Sequence, residues 1–401
     1  MATGGNVQGN LSSTTQPSVF FSPEVERTLH ILEPMRTPFT QYLYFGSRSQ
    51  KPAFEADGYF KWGEDQFYPW NLTISASTGG GAGATGTITF TDGSALVGDE
   101  ILYVESTDQM VRCTSMASAN VANISTINGS TTFVAPTNAT LVKIMAGLMG
   151  EQEIARTATS TIPTLMQNIM TMISEDVAMT GRAESGKYLT TGQTFPEKLR
   201  KRILEIKLQL ERWFILSNTL YRGAFTVQGV SDEVTIGYGL QGLLTTNVQG
   251  YTGPLLSADL DTFFKAVFQY GTGEKILYQG TQQLYDLNNV VKGYYQVTGI
   301  PAREFGVDVV KYVIPGQAKL TVVYDPVMDG KFGGAGFAID PGDLVLRYQG
   351  PDTTGPRGFR VTNVKLPNVG GSKKQILADV GIQYNNQETG GLLHQTDYTG
   401  V

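Results

Sequence analysis

The sequence predicts an α+β protein built from more than one packed unit. Three observations point there. The chain of 401 residues is too long for one core of the usual size. Residues 71–91 carry no charge and read as glycine- and threonine-rich strands. Leu199, Ile203, Ile206, Leu210 and Trp213 recur at spacings of four and three, the period of one helix face.

Composition narrows the class. Hydrophobic residues make up 41% and aromatics 10%, enough to fold, but only 16% are charged, against a usual quarter. Such a surface suits a subunit covered by neighbours; a neutral, Gly/Ser/Thr-rich β-protein would share it. A net charge of −6 argues against a general nucleic-acid binder. Cys113 is the sole cysteine, so no intramolecular disulfide forms and a reducing site of synthesis is expected. The N-terminus lacks the basic and apolar regions of a secretion signal. No apolar run reaches the ~20 residues of a membrane span. Asn10, Asn71, Asn123, Asn128 and Asn138 head Asn-x-Ser/Thr sequons, read as Asn/Thr-rich strand rather than glycosylation sites.

Taken in order, the first 23 residues hold no charged side chain and read as a flexible arm, ordered only against a partner. Without Lys or Arg it is no DNA-binding tail. Ser22-Pro23-Glu24 opens a helix, with serine as cap, proline in the first turn and an early acid. Val25, Leu29 and Leu32 form its apolar face, and Pro34 and Pro38 end or kink it. From about Lys51 to Ala139 the pattern turns to β. Tyr59-Phe60-Lys61-Trp62 reads as a strand running into a turn at Glu64-Asp65. NLTISAST and GTITFTDG follow, and then short strands alternate with turns at Gly98-Asp99 and Thr107-Asp108. We read a long β-excursion with a small barrel-like insertion, whose edges must be covered.

Residues 151–180 suggest one or two helices, with Ile169, Met172, Ile173 and Val177 on one side. The strongest helix follows. Thr194 and Glu197 make a capping-box pattern, and a helix from Phe195 to Ser217 spans roughly 35 Å at 1.5 Å per residue. Lys198, Arg200, Lys201 and Arg202 crowd its first turns, followed by Glu205, Lys207, Glu211 and Arg212. They form either a solvated face with i,i+4 pairs or an intersubunit charge network. Beyond it, helices and strands interleave as in a mixed α/β domain. Ser257 caps a helix that stops at Gly271, KILYQG is a strand, and Thr281 to Val291 is a short helix. Val307 to Asp325 holds two β-rich runs around Pro315-Gly316, a pair with turn chemistry. Asp325-Pro326 is a rigid step, and Phe337 to Tyr348 reads as a third strand. KKQILADVGIQYNNQETGGLLH closes the chain as a strand and a polar tail.

Motifs for chemistry almost occur and fail on context. Gly81 to Gly86 fits GxGxxG, but TITFTDG follows where pyrophosphate binding needs a helix. Gly181 to Lys187 fits the first part of a P-loop, yet Tyr188 takes the place of the Ser/Thr that would meet magnesium. The two histidines, His30 and His394, have no recognisable nucleophile beside them. No His/Cys cluster has zinc spacing. Asp325, Asp329, Asp340 and Asp343 sit by Pro or Gly and read as turn formers rather than a metal or glycosidase site. Catalytic residues, metal ligands and cofactors are therefore all expected to be none.

In this order, the elements resemble a tailed-bacteriophage major capsid (major head) protein with the Hong Kong 97-type fold. FGVDVVKYVIPGQAKLTVVYDPVMDG followed by IDPGDLVLRY carries the likeness best, since the family has there a strand pair, a variable loop and a return strand near an Asp-Pro. The resemblance implies an N-terminal arm and short helix at 1–45 and an extended loop with a β-barrel-like insertion at 46–145. It implies a peripheral domain at 146–234 with a spine helix at 195–217, an axial domain at 235–350, and a return to the peripheral domain with a C-terminal tail at 351–401. A subgroup of the family carries a similar β-insertion in the extended loop. Some members begin with a scaffolding segment removed by protease; this chain opens on the arm, so scaffolding is expected to be separate or unneeded.

The function so implied is that of a structural subunit, not an enzyme. It would self-assemble into pentamers and hexamers of an icosahedral or prolate shell that encloses double-stranded DNA without binding it specifically. The implied place is the virion, after assembly in the bacterial host cytoplasm, with no membrane. Separate scaffolding, portal and decoration proteins are the further partners. Candidate intersubunit contacts are Lys61, Trp62, Glu64 and Asp65 on the loop, and Lys198, Arg200, Lys201, Arg202, Glu205, Glu211 and Arg212 on the helix. Some relatives join a loop lysine to a neighbour's asparagine by an isopeptide, for which Lys61 and Asn385 or Asn386 are the placements. A tail-tube or decoration protein would share the β-rich, low-charge composition but needs neither the spine-like helix nor the α/β unit behind it. A nucleotide-binding enzyme would have to use the incomplete P-loop.

Overall fold

The computed structural model describes residues 37–46, 50–55, 57–67, 70–79, 84–94, 96–127, 132–138, 140–147, 161–186, 194–227, 229–294, 302–304, 307–314, 318–352, 355–364 and 370–399. Outside them lie the expected N-terminal arm and its helix, His30, Gly81 to Gly83, Lys187, residues 151–160 and the Pro315-Gly316 turn. The chain divides into two compact units, one running to Trp62 and again from Gln167, the other Gly63–Met166.

The first unit opens with a short helix, Pro38–Gln41 (α1), begun by its proline and continued as a π turn, Tyr42–Gly46. The strands Gln50–Ala53 (β1) and Tyr59–Glu64 (β2) follow.

In the second unit six strands close into a barrel. They are Asn71–Gly79 (β3), Thr85–Phe90 (β4), Glu100–Val104 (β5), Gln109–Ser118 (β6), Val121–Thr126 (β7) and Leu141–Gly147 (β8). Their order is β3-β4-β7-β6-β5-β8. A period of two sets the inside: Leu72 and Ile74, Ile88 and Phe90, Leu102 and Val104, and Val111 and Cys113 are all buried. Closure leaves no unpaired edge, which answers the exposure of so neutral a sequence. Asp99 and Asp108 make the reversals with φ of 68° and 50°, a conformation aspartate tolerates. A Cβ on Gly86 would stand 2.5 Å from the Phe133 ring. That glycine seats a core aromatic rather than a phosphate.

The chain then adds Thr164–Ile169 (β9), Thr171–Thr180 (β10), Gly181–Glu184 (α2) and Phe195–Leu216 (α3). Next come Tyr221–Val227 (β11), Val230–Ile236 (β12), Leu240–Leu243 (α4), Val248–Tyr251 (β13) and Ser257–Val267 (α5). Glu274–Gln279 (β14), Thr281–Tyr294 (α6), Ala302–Glu304 (β15), Val307–Ile314 (β16) and Ala318–Tyr324 (β17) follow. Ala335–Ile339 (β18), Leu344–Gln349 (β19), Arg360–Asn363 (β20), Gly371–Tyr384 (β21) and Gly391–Gln395 (β22) complete the series.

Two sheets organise the first unit. One runs β1-β19-β21-β10 with β20 also on β21; the other runs β13-β22-β18-β14-β17-β16-β15. β9 pairs with β2, and β11 with β12, as ribbons. α3 packs on β10 and β21 of the first sheet. The apolar face of α5 (Leu260, Phe263, Phe264, Val267) shares a core with Leu277, Leu320, Val322 and Leu393 of the second. Strands with segregated helices make the class α+β.

Several elements differ from the sequence reading. β9 and β10 are strands, not helices: β10 pairs with β21 from Thr171–Val380 to Thr180–Gly371, and Met172 is exposed while Val177 and Met179 are buried. Thr194 is the N-cap of α3 but makes no side-chain cap bond, so its capping box is not formed. The cap of α5 is Leu256, whose N–H donates to Asp259, one residue before the expected Ser257. Phe337 to Tyr348 is two strands in different sheets, turned by Asp340-Pro341-Gly342-Asp343, where Gly342 N–H donates to Asp340 Oδ1 at 2.9 Å. The expected polar tail contains β22, which lies between β13 and β18 with Leu393 fully buried.

Candidate functional site

α3 presents two faces with different work. Ile206, Leu210, Phe214 and Ile215 are fully buried. Lys198, Arg200, Lys201, Arg202 and Arg212 are exposed. Proline at the start and Glu197 in the first turn suit its N-terminus. The C-terminus is closed by Gly239, where a Cβ would stand 2.6 Å from the Trp213 and Phe214 carbonyl oxygens. Arg202 pairs with Glu205 at 2.6 Å and Arg200 with Glu197 at 3.9 Å, both three residues apart. Such exposed pairs contribute only fractions of a kcal/mol. Lys198, Lys201, Arg202 and Glu205 line one side of an open groove of about 280 Å³, with Asp176 and Val177 of β10 opposite. Lys373 of β21 reaches Asp176 at 2.8 Å. Both signs are present, so the groove fits another mixed protein surface better than a polyanion.

Glu211 is not on the charged face. It is fully buried, and its Oε1 and Oε2 accept the backbone N–H groups of Phe39 at 2.8 Å and Thr40 at 2.5 Å. A signal for this exists in the sequence: Glu211 stands between Phe214 and Ile215 on the helix wheel, inside the apolar arc. Asp325, also fully buried, faces it. Burial and the Asp325 charge hold the Glu211 carboxyl well above the usual range. Burial pushes Asp325 up too, to about 6, while its bond with Glu211 and the Val327 N–H pull it back.

A second buried cluster joins the two sheets of the first unit. Lys275 Nζ donates to Asp340 Oδ2 at 3.0 Å and to the carbonyls of Tyr270 (3.1 Å) and Thr389 (2.8 Å). Asp340 also accepts Thr272 N–H at 2.7 Å, and Tyr384 Oη accepts the Asp340 N–H at 3.0 Å. Thr389 Oγ1 donates to Asp343 at 2.7 Å. The four aspartates do form turns, as their sequence context suggests, and Asp325 and Asp340 are core groups as well.

On β2, Lys61 and Asp65 beyond it are exposed and Glu64 is half-buried. Trp62 is buried and stacks on Phe60 at 6.0 Å, so it is a core residue rather than a contact. Phe67 (94% exposed), Trp70, Ile162 (89%) and Leu165 are large apolar groups of the second unit open to solvent; their short, irregular context carries no period that would mark them. Asn385 is half-buried, with its Oδ1 accepting from Gln383, and Asn386 is exposed at φ 55°. His394 on β22 is half-buried. Cys113 is a barrel-core thiol, pushed up to about 11 by burial and by Glu100. Among the described residues no group of three His, Cys, Asp or Glu could hold a metal, and no helix is long and apolar enough to cross a membrane.

The chain matches the SU10 major capsid protein family over residues 3–397. A match through nearly the whole chain defines a structural protein of a virus shell, not an enzyme, a tail tube or a decoration protein. The chain belongs to the SU10 major capsid protein family, and its place is the virion. No curated protein matches it. Among solved structures it is similar to the capsid of a native GTA particle, at 10% identity and a TM-score of 0.46, over 96% of this chain and 99% of that one. A Mycobacterium phage Bobi structure shows 7% identity and a TM-score of 0.44, over 97% and 100%. The holo-SrpI encapsulin complex of Synechococcus elongatus shows 15% and 0.42, over 59% and 77%. It is the family match, not these structures, that places the chain.

Proposed function

We propose that this capsid subunit has the Hong Kong-type fold and assembles into pentamers and hexamers of a closed icosahedral or prolate shell around double-stranded DNA. The observation that carries the reading is the family match over residues 3–397. The five-stranded sheet with α3 serves as the peripheral domain and spine helix, and the seven-stranded sheet as the axial domain. On this division β19 goes with the peripheral sheet and β22 with the axial one, which shifts the boundaries of 235–350 and 351–401 expected from sequence. The barrel is the insertion of the extended loop. Phe67, Trp70, Ile162 and Leu165 are the apolar groups a neighbour would cover. Lys198, Arg200, Lys201, Arg202, Glu205 and Arg212 offer charge complementarity that sets register more than affinity. Many weak contacts add through multivalency. Assembly takes place in the host cytoplasm, with scaffolding, portal and decoration proteins as separate partners.

Electron microscopy of the purified protein tests this. Closed shells with five- and six-fold capsomers are expected; tubes or monodisperse monomers would reject the reading. The same particles, boiled in denaturant and run on a gel, decide the Lys61 to Asn385 or Asn386 isopeptide. Ladders above the monomer band support it, and monomer alone ends it.

A further inference from the structure

The segment Phe39–Thr40 is the first described stretch after residues 1–36, and it is anchored at one point of unusual chemistry. Both of its N–H groups end on the two oxygens of Glu211, 2.8 and 2.5 Å away. Glu211 is separated from them by about 170 residues of chain, so this bond ties the segment to the last third of α3, the longest of the described helices. Asp325, at the end of β17, meets the same carboxyl. Its Oδ1 takes the Val327 N–H at 2.9 Å, and the Asp325 N–H is fixed to the Gln279 carbonyl at 2.9 Å. Asp325 Oδ2 is enclosed and has no N–H or O–H partner of its own among the described residues.

Two carboxylates without a proton are both acceptors and repel. In contact, with both residues fully buried, they persist only if one oxygen carries a hydrogen that the other accepts. Among the described residues the Thr40 hydroxyl is a further donor to Glu211, and no cation balances the pair. Tyr278 of β14 is buried near this cluster, and burial holds its phenol protonated, with Tyr42 of the π turn after α1 beside it. Asp329, beyond the Pro326–Met328 turn, adds a further negative charge toward Asp325 and is itself occupied by Thr281 N–H and Tyr324 Oη. Among the described residues no Lys or Arg is one of the charges acting on either carboxyl. A cation would have made the pair an ordinary ion cluster; its place is taken by a proton.

We infer that Glu211 and Asp325 form a proton-held clamp on Phe39–Thr40, closed while the pair shares a hydrogen and opened when that hydrogen is lost. Closed, Glu211 donates to Asp325 and still accepts both N–H groups through its lone pairs. Opened, two buried negative charges face each other and separate, and the entry segment leaves with them. A carboxyl raised in the folded state contributes stability at low pH and loses it as pH rises through its folded value. The clamp is therefore tight in acid and weakens toward alkaline pH, opposite in sign to an Asp–Lys pair. This inference concerns the single subunit and does not depend on the shell geometry proposed above.

Amide hydrogen exchange of peptides covering 37–46, corrected for the intrinsic pH dependence, tests it on the full chain between pH 6 and 10. Protection of the Phe39 and Thr40 amides is expected to fall about tenfold per pH unit once opening releases one proton, while β7 of the barrel keeps its protection. Asp325→Asn retains both Glu211 acceptors and removes the facing carboxylate, so the slope is expected to flatten to less than twofold per unit. Glu211→Gln serves as the second variant, with the same flattening from a lower starting protection. Equal pH slopes at 37–46 and β7 in the wild-type chain, or an unchanged slope in Asp325→Asn, would overturn the clamp.

Discussion

At the scale of single residues, the most deeply buried charged groups described, Glu211, Asp325, Lys275 and Asp340, fall in two arrangements of different chemistry. Glu211 and Asp325 share a proton; Lys275 and Asp340 share a salt bridge of 3.0 Å between groups at most 1% exposed. Burial works to raise Asp340, but the Thr272 and Gly342 N–H groups and Lys275 outweigh it, and its carboxyl lies below the usual range. Removing one partner of such a pair strands a charge in the core. Lys275→Met is expected to lower the urea unfolding free energy by about 3–5 kcal/mol. A carboxyl depressed in the folded state gives stability above its unfolded value and loses it as pH falls. The deficit of the variant should therefore shrink below about pH 4, near the unfolded carboxyl value. A deficit that stays constant into acid would mean the lysine acts by packing alone. Neither arrangement was legible in the sequence, because each joins groups remote in the chain. Asp325 and Asp340 looked like turn formers, and they are, but the turn says nothing of what the other carboxylate oxygen meets.

Elements were legible in proportion to how local their causes are. The spacing of Leu199 to Trp213 predicts α3 to within a residue, since a helix closes its own bonds. The reversals at Asp99 and Asp108 were marked by Gly98-Asp99 and Thr107-Asp108 for the same reason. β10 was not, because Ile169, Met172, Ile173 and Val177 happen to fall at spacings of three and four. Its pairing with β21, about two hundred residues on, overrides that chance period. The corner at Asp340 to Asp343 hid a change of sheet inside what reads as one apolar run. Within α3, the charged residues were taken together, whereas burial separates Glu211 from the rest. The two faces of the helix predict a contrast. Leu210→Ala should destabilise the subunit by about 2–5 kcal/mol, and Lys201→Ala by no more than ~0.5 kcal/mol, by thermal or urea unfolding. If Lys201→Ala blocks assembly with an unchanged unfolding curve, the exposed face is an intersubunit surface.

For the molecule as a whole, the order of strands in space matters more than their number. The barrel is built from consecutive strands between Asn71 and Gly147, so its contacts are local. The two sheets of the first unit are not: β21 sits at the centre of one and β22 inside the other, and both lie beyond residue 370. A chain ended after Asn363 should keep the barrel's protease resistance and lose that of α3 and β14; resistance throughout would contradict the topology. The same ordering sets a timetable during synthesis. While the ribosome is still at work, the nascent chain can finish its barrel and two-stranded ribbons, and both larger sheets wait with a gap where the last strands will go. Non-local pairing of this kind is slow. Fragments from interrupted translation thus carry neither finished sheet, and what reaches the assembly pathway has been read to its last strands.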